Sequence, residues 1–181
     1  MKSAKRRSIR DFRESLRRRH GAEGGIDQAS AERAELLFNL TRTVNRLSLD
    51  FEQLHRRNGL SWSGFRIMNV IWVVEDVEVS EIARLSGASR ASTWSALNTL
   101  ERNGLVQRSR DAEDRRMVRA TLTASGVQVL EAAVQAQAER EAQWFSVLDQ
   151  QDQRILKELL ARLADQASPA PRSDNQDTAS S

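Results

Sequence analysis

The sequence predicts a mainly α-helical protein with one small β-hairpin near its middle, and three observations carry that prediction. Apolar residues recur at intervals of three and four over long stretches, as along Leu37, Leu40, Val44, Leu47, Phe51 and Leu54. On either side of a charged stretch, residues 105–110 and 117–123 alternate with a period near two. Aromatic residues are 5% and charged residues 29% of the chain, and Ala, Leu, Glu, Arg and Gln abound, a balance that suits helices.

Taken in order, residues 1–20 hold nine cationic side chains against Asp11 and Glu14, a net +7 that leaves the rest of the chain at −4. Ile9, Phe12 and Leu16 form a narrow apolar stripe there, and Gly21, Gly24 and Gly25 then read as a joint. Residues 1–29 are therefore expected to be a flexible basic arm, either solvated or following phosphates. A long helix is expected from Ser30, a suitable N-cap, to about residue 57, and Asn58-Gly59 closes it. Its heptad-like seam suits packing against other helices. A second helix, 61–74, should turn Trp62, Phe65, Ile67 or Met68, and Trp72 inward.

A brief strand at 77–79 leads to a third helix, 81–86, capped by Ser80, with Ile82 and Leu85 inward and Gly87 as its stop. Ser89 caps a fourth, 90–103, with Leu97 and Leu100 inward and Gly104 as its stop. After the hairpin, Thr123 caps a long helix toward Trp144. Asp149 caps a last one whose apolar side is Ile155, Leu156, Leu159, Leu160 and Leu163. The Pro-, Ser- and Asp-containing tail, 168–181, reads as disordered.

The bulk numbers exclude more than they establish. With no cysteine, disulfides, thiolate nucleophiles and Cys-bound metals are ruled out. No apolar run is long enough for a membrane span and the basic start is no secretory signal, so a cytoplasmic location is expected. Two histidines, no Gly-rich phosphate loop and no carboxylate cluster leave no catalytic or metal site and no cofactor; an enzyme is not expected. A net charge of +3 decides little by itself.

Two short helices joined by a tight turn, then strand, charged loop and strand, make a winged helix-turn-helix. The major groove, about 12 Å wide, admits one helix, whose first turns must be polar. Ser89, Arg90, Ser92, Thr93 and Ser95 supply small hydroxyls and one guanidinium there. Arg108, Arg110, Arg115, Arg116 and Arg119 gather on the hairpin, whose tip suits the narrow minor groove, and Asp114 stands where it can hold Arg116 by a bidentate pair.

The runs Ser80-Glu-Ile-Ala-Arg-Leu-Ser-Gly, Ser89-Arg-Ala-Ser-Thr, Leu100-Glu-Arg-Asn-Gly-Leu-Val, Asp111-Ala-Glu-Asp-Arg-Arg and Leu122-Thr-Ala-Ser-Gly126 resemble the multiple antibiotic resistance regulator (MarR) family over roughly residues 30–167. The resemblance implies a homodimeric transcriptional regulator on palindromic DNA, with terminal helices interleaved and repression relieved by a small phenolic or aromatic ligand. It also implies Arg116 as the wing-tip residue in the minor groove, oriented by Asp114. The chain departs from the family pattern at Ser95, where a basic residue is frequent, at the bulky Trp94 beside it, and at Glu113, where arginine is frequent.

The expected architecture is thus mainly α: a winged helix-turn-helix with a two-stranded β-wing, at 61–123, between dimerisation helices at 30–60 and 124–167. The expected partners are double-stranded DNA, a second copy of the chain and a small aromatic ligand, with the protein associated with the nucleoid. A winged helix serving only protein contacts is the alternative. Trp62 and Phe65 are candidate walls of a ligand pocket, or plain core, the commoner fate of aromatics at helical spacing. His55 and Arg66 are candidate partners for a ligand carboxylate, or a helix-end and a surface group.

Overall fold

The structure, a computed structural model, describes residues 8–19, 21, 25, 27–110 and 117–166. The chain divides into two compact units, Met1–Gln137 and Ala138–Ser181.

In the first unit, α1 (Ile9–Arg18) is a helix where a flexible arm was expected. Ser8 and Asp11 close a reciprocal capping box at its start. The helix lies on α2 (Gln28–Arg56), with the Phe12 and Phe38 rings 4.9 Å apart and Arg17 paired to Glu35 at 2.8 Å. The narrow apolar stripe is what docks it. Helix α2 starts before Ser30 because Asp27 is the cap: its carboxylate accepts the Ser30 N–H at 2.8 Å and the Ser30 hydroxyl at 2.8 Å. A charged acceptor outcompetes the hydroxyl as a cap.

Ser61 caps α3 (Trp62–Val74), its Oγ accepting from the Gly64 N–H. Phe65, Ile67, Met68 and Ile71 are buried, whereas Trp72 is exposed, because the next inward position after Met68 is taken by Ile71. β1 (Val77–Glu78) leads directly into α4 (Val79–Ser86). Glu78, not Ser80, stands at the N-cap and gives no side-chain cap; the Ser80 hydroxyl donates to the Glu78 carboxylate instead. Ile82 is buried and Leu85 exposed. Gly87 stops the helix at φ +64, a conformation that favours glycine.

Helix α5 (Arg90–Arg102) follows its cap Ser89. β2 (Val106–Arg110) and β3 (Val118–Leu122) pair antiparallel, with Arg108 opposite Ala120, and β1 adds to the far edge of β3 in the order β1-β3-β2. The core under α3, α4, α5 and the sheet includes Ile67, Met68, Ile71, Ile82, Leu97, Leu100, Val106 and Ala120. The start of α6 (Ala124–Phe145) closes it with Leu130 and Ala133. Thr123 accepts the Gly126 N–H and donates to the Gly104 carbonyl, joining the helix start to the end of α5.

The second unit holds the end of α6 and α7 (Gln150–Ala164), capped by Asp149. The Gln153 amide donates to the Phe145 and Leu148 carbonyls and closes the intervening turn. No residue of α7 is buried, and Ile155, Leu159, Leu160 and Leu163 are exposed.

Candidate nucleic-acid interface

Helix α5 is two-faced. Thr93, Leu97 and Leu100 are buried, and Arg90, Ser92, Trp94, Ser95, Asn98 and Thr99 are exposed. The Ser89 Oγ accepts the Ser92 N–H at 3.1 Å and donates to the Ser92 hydroxyl at 2.9 Å, so the first turn is held by the side chains that it displays. Thr93 does not join them. It is wholly buried and its hydroxyl donates to the Ser89 carbonyl at 3.0 Å, which makes it a docking residue rather than a reading one.

A groove of about 600 Å³ runs between the start of α3 and the outer side of α5, lined by Ser61, Ser63, Ser92, Ser95, Thr99 and Asn103 among others. A separate, smaller recess of about 330 Å³ on another side of α5 brings Arg90 and Trp94 together with Glu78, Ser80 and Val118. Both are open to solvent.

The hairpin arginines part company. Arg110 is exposed at the end of β2. Arg108 is mostly covered: its guanidinium donates to the Glu101 carboxylate, at 3.1 Å from Nε and also from Nη2, and lies 5.2 Å from the centre of the Trp94 ring. That pairing holds the Glu101 carboxyl below its usual range. Arg119 turns toward the helix end before β1 and bonds Asp76 at 2.7 Å. Neither pairing was legible in the sequence, since each partner comes from another element. Asp114, Arg115 and Arg116, and Glu113 with them, lie outside the described residues.

The ligand candidates form a second cluster. His55 is wholly buried, not at the surface, and its ring is stacked 4.1 Å from Phe65 and 5.5 Å from Trp62. Phe51 abuts Trp62 at 5.0 Å. The His55 Nε2 meets Gln137 Oε1 at 2.8 Å, while its Nδ1 is buried with no hydrogen-bond partner among the described residues. Burial pushes the His55 pKa down, against the smaller opposing pull of Gln137 and Glu52. Glu52 braces the cluster by accepting the Trp62 N–H at 2.7 Å and pairing with Arg56. Arg66 lies over the Trp62 ring at 5.8 Å. Glu52 and Gln137 escaped sequence reasoning because nothing local marks them.

A capped two-faced helix docked on its partner helix, followed by a three-stranded sheet that projects a hairpin, defines a winged helix-turn-helix protein. The MarR family model matches residues 60–118. The helix-turn-helix-type transcriptional regulator YwaE of Bacillus subtilis (strain 168) is 31% identical over 141 residues, covering 77% of this chain and 82% of its own. Among solved structures, the transcriptional repressor CouR bound to a 23-mer DNA duplex superposes with a TM-score of 0.66 at 28% identity, over 71% of this chain and 92% of that one. NadR in complex with 4-hydroxyphenylacetate gives 0.62 at 26% identity, over 71% and 91%. The chain belongs to the MarR family of transcriptional regulators. Among the described residues no helix is long and apolar enough to cross a membrane.

Proposed function

We propose that this regulator binds an inverted-repeat operator as a homodimer and represses transcription until a small aromatic ligand releases it. One observation carries the DNA reading: α5 buries Thr93, Leu97 and Leu100 and turns Arg90, Ser92, Ser95 and Asn98 outward, which is the division a groove-entering helix needs. Arg90 and Arg102 on α5 and Arg110 on β2 are exposed cations, and the family resemblance adds Arg115 and Arg116, with Asp114 as the orienting partner of Arg116, as expected wing contacts. The alternative, a module for protein contacts alone, is less favoured because the exposed side of α5 is mostly polar, with Arg90, Ser92, Ser95, Asn98, Thr99 and Arg102.

Dimerisation is supported by what the single chain leaves uncovered. On α2 the seam residues Leu37, Leu40 and Val44 are exposed, as are Ile155, Leu159, Leu160 and Leu163 on α7. Apolar surface on that scale is normally covered by a partner. Twofold symmetry then sets the two recognition helices about 34 Å apart along the duplex. Acting on DNA places the protein in the cytoplasm, with the nucleoid. The His55, Trp62, Phe65 and Arg66 cluster is the proposed ligand-responsive site. NadR, a relative in fold, holds 4-hydroxyphenylacetate.

Anisotropy titrations against a random duplex and against DNA from upstream of its own gene test this. A regulator of this kind loses affinity steeply between about 50 and 200 mM salt and prefers the upstream fragment. Binding that is absent at every salt concentration sinks the reading. Addition of 4-hydroxyphenylacetate and related phenolic acids to the bound complex tests the ligand.

A further inference from the structure

We propose that Trp94, Arg108 and Glu101 form a strut that fixes the angle between the recognition helix and the wing, so that Arg108 is a positioning residue and not a phosphate clamp. The proposal rests on the reading of α5 and the hairpin as the DNA interface. Trp94 and Glu101 stand two helical turns apart on α5 and therefore share a face. Both meet one guanidinium, which rises from the centre of β2, where Arg108 is paired with the buried Ala120 of β3. Two donors of Arg108, Nε and Nη2, are spent on a single carboxylate oxygen and its Cζ lies over the indole ring, two contacts of the kind that hold a guanidinium in place.

A phosphate clamp needs a free charge and donors aimed at solvent. The Arg108 side chain is 17% exposed and its charge is offset by Glu101. Arg110, two positions on and exposed, is the contrasting case. The other strand of the hairpin is tied as well, through Arg119 and Asp76. The ribbon is thereby tied along its length on both strands, by β2 to α5 through Arg108 and by β3 to the turn before β1 through Arg119. Trp94 sits on the recognition helix yet acts on the wing.

The two roles for Arg108 give opposite signs when its partner is neutralised. Full-length wild type, Glu101→Gln, Trp94→Ala and Trp94→Phe are titrated by anisotropy against a random duplex and a fragment from upstream of the gene, across a salt series. A strut predicts that Glu101→Gln weakens binding by about three- to tenfold with an unchanged salt slope. Trp94→Ala does the same, and Trp94→Phe, which keeps a ring face, restores most of the loss. Hydroxyl-radical protection fades at the outer edges of the site, where the wing lies, while the central protection persists. If Arg108 is a clamp restrained by Glu101, Glu101→Gln instead tightens binding and steepens the slope by about one. That result overturns the strut, as does unchanged affinity or a uniform fading of all protections. A wild type that binds neither duplex overturns the DNA reading and the strut together. Thermal melts of each variant identify any that fails to fold, and Glu101→Gln, nearly isosteric at a half-exposed side chain, is the variant that then decides.

Discussion

His55 Nε2 and Gln137 Oε1 lie 2.8 Å apart across 82 positions of sequence, tying the end of α2 to α6. The same imidazole is stacked against Phe65 and Trp62 of α3. One side chain thus joins a helix proposed for dimerisation, the first helix of the 61–123 domain and the helix that leaves it. A displacement at this cluster reaches all three.

The cluster gives stability a pH dependence. Burial lowers the His55 pKa, so the unfolded chain takes up a proton more readily than the folded one. Stability is then full above the ordinary histidine value, about 6.5, and is lost as pH falls through the folded value. Glu52 and Glu101 are also held low, but a carboxylate acts only below its ordinary value near about 4.3, outside this window. Calorimetric melts from pH 8 to 5 should show a falling midpoint in wild type and a flatter course in His55→Leu. Parallel curves for the two proteins refute the assignment.

Gly126→Ala should destabilise the fold despite its helical site. An added Cβ would lie 2.0 Å from the Leu105 carbonyl oxygen. That carbonyl cannot swing aside, because it accepts the Thr123 N–H while the Leu105 N–H donates to Leu100. Alanine gains about 1 kcal/mol in helix propensity, and overpacking against backbone costs about 3 kcal/mol, so a net loss near 2 kcal/mol is expected. Urea unfolding measures it.

Glu75 has φ +64 and ψ −131, the sole positive φ outside glycine among the described residues. Side chains rarely adopt that conformation, at a cost of order 1–3 kcal/mol. Glu75→Gly should therefore raise the unfolding free energy by about 1 kcal/mol after the entropy of the freer unfolded chain is counted. A lower midpoint would mean that the glutamate makes up the strain elsewhere.

On α5, Thr93 and Arg90 should behave oppositely. Thr93→Val deletes the buried bond to the Ser89 carbonyl and should cost about 1 kcal/mol of stability, leaving the salt slope of DNA binding as it was. Arg90→Ala should leave the melt alone and weaken operator binding by about 1–3 kcal/mol. A Thr93→Val protein of full stability but altered base preference would contradict the buried placement.

Leu40→Glu on the uncovered seam of α2 should convert the dimer to a monomer in sedimentation velocity and abolish tight operator binding. A dimer that survives the change moves the interface elsewhere.

Much of the fold was legible because its signals are local. The glycine stops after α4 and α5 and the Ser89 cap each rest on a few adjacent residues, and the structure keeps them. The errors have local causes too. Asp27 displaced Ser30 because a carboxylate is the stronger cap, and β1 pairing with β3 drew the start of α4 back to Val79. Trp72 and Leu85 read as inward because apolarity was taken for burial, yet the helical period gave their neighbours the core.

From α2 onward the sequence by itself determined the order of elements, the two-faced recognition helix and the charged hairpin, since periodicity, caps and stops depend on residues within one or two turns. Only the tertiary structure decided which charges are spent. Arg108 finds Glu101, Arg119 finds Asp76, and His55 stacks beside Phe65 and Trp62. Those pairings need distant segments to cross at a set angle, and the angle is fixed by how whole helices pack, which no short run of residues encodes.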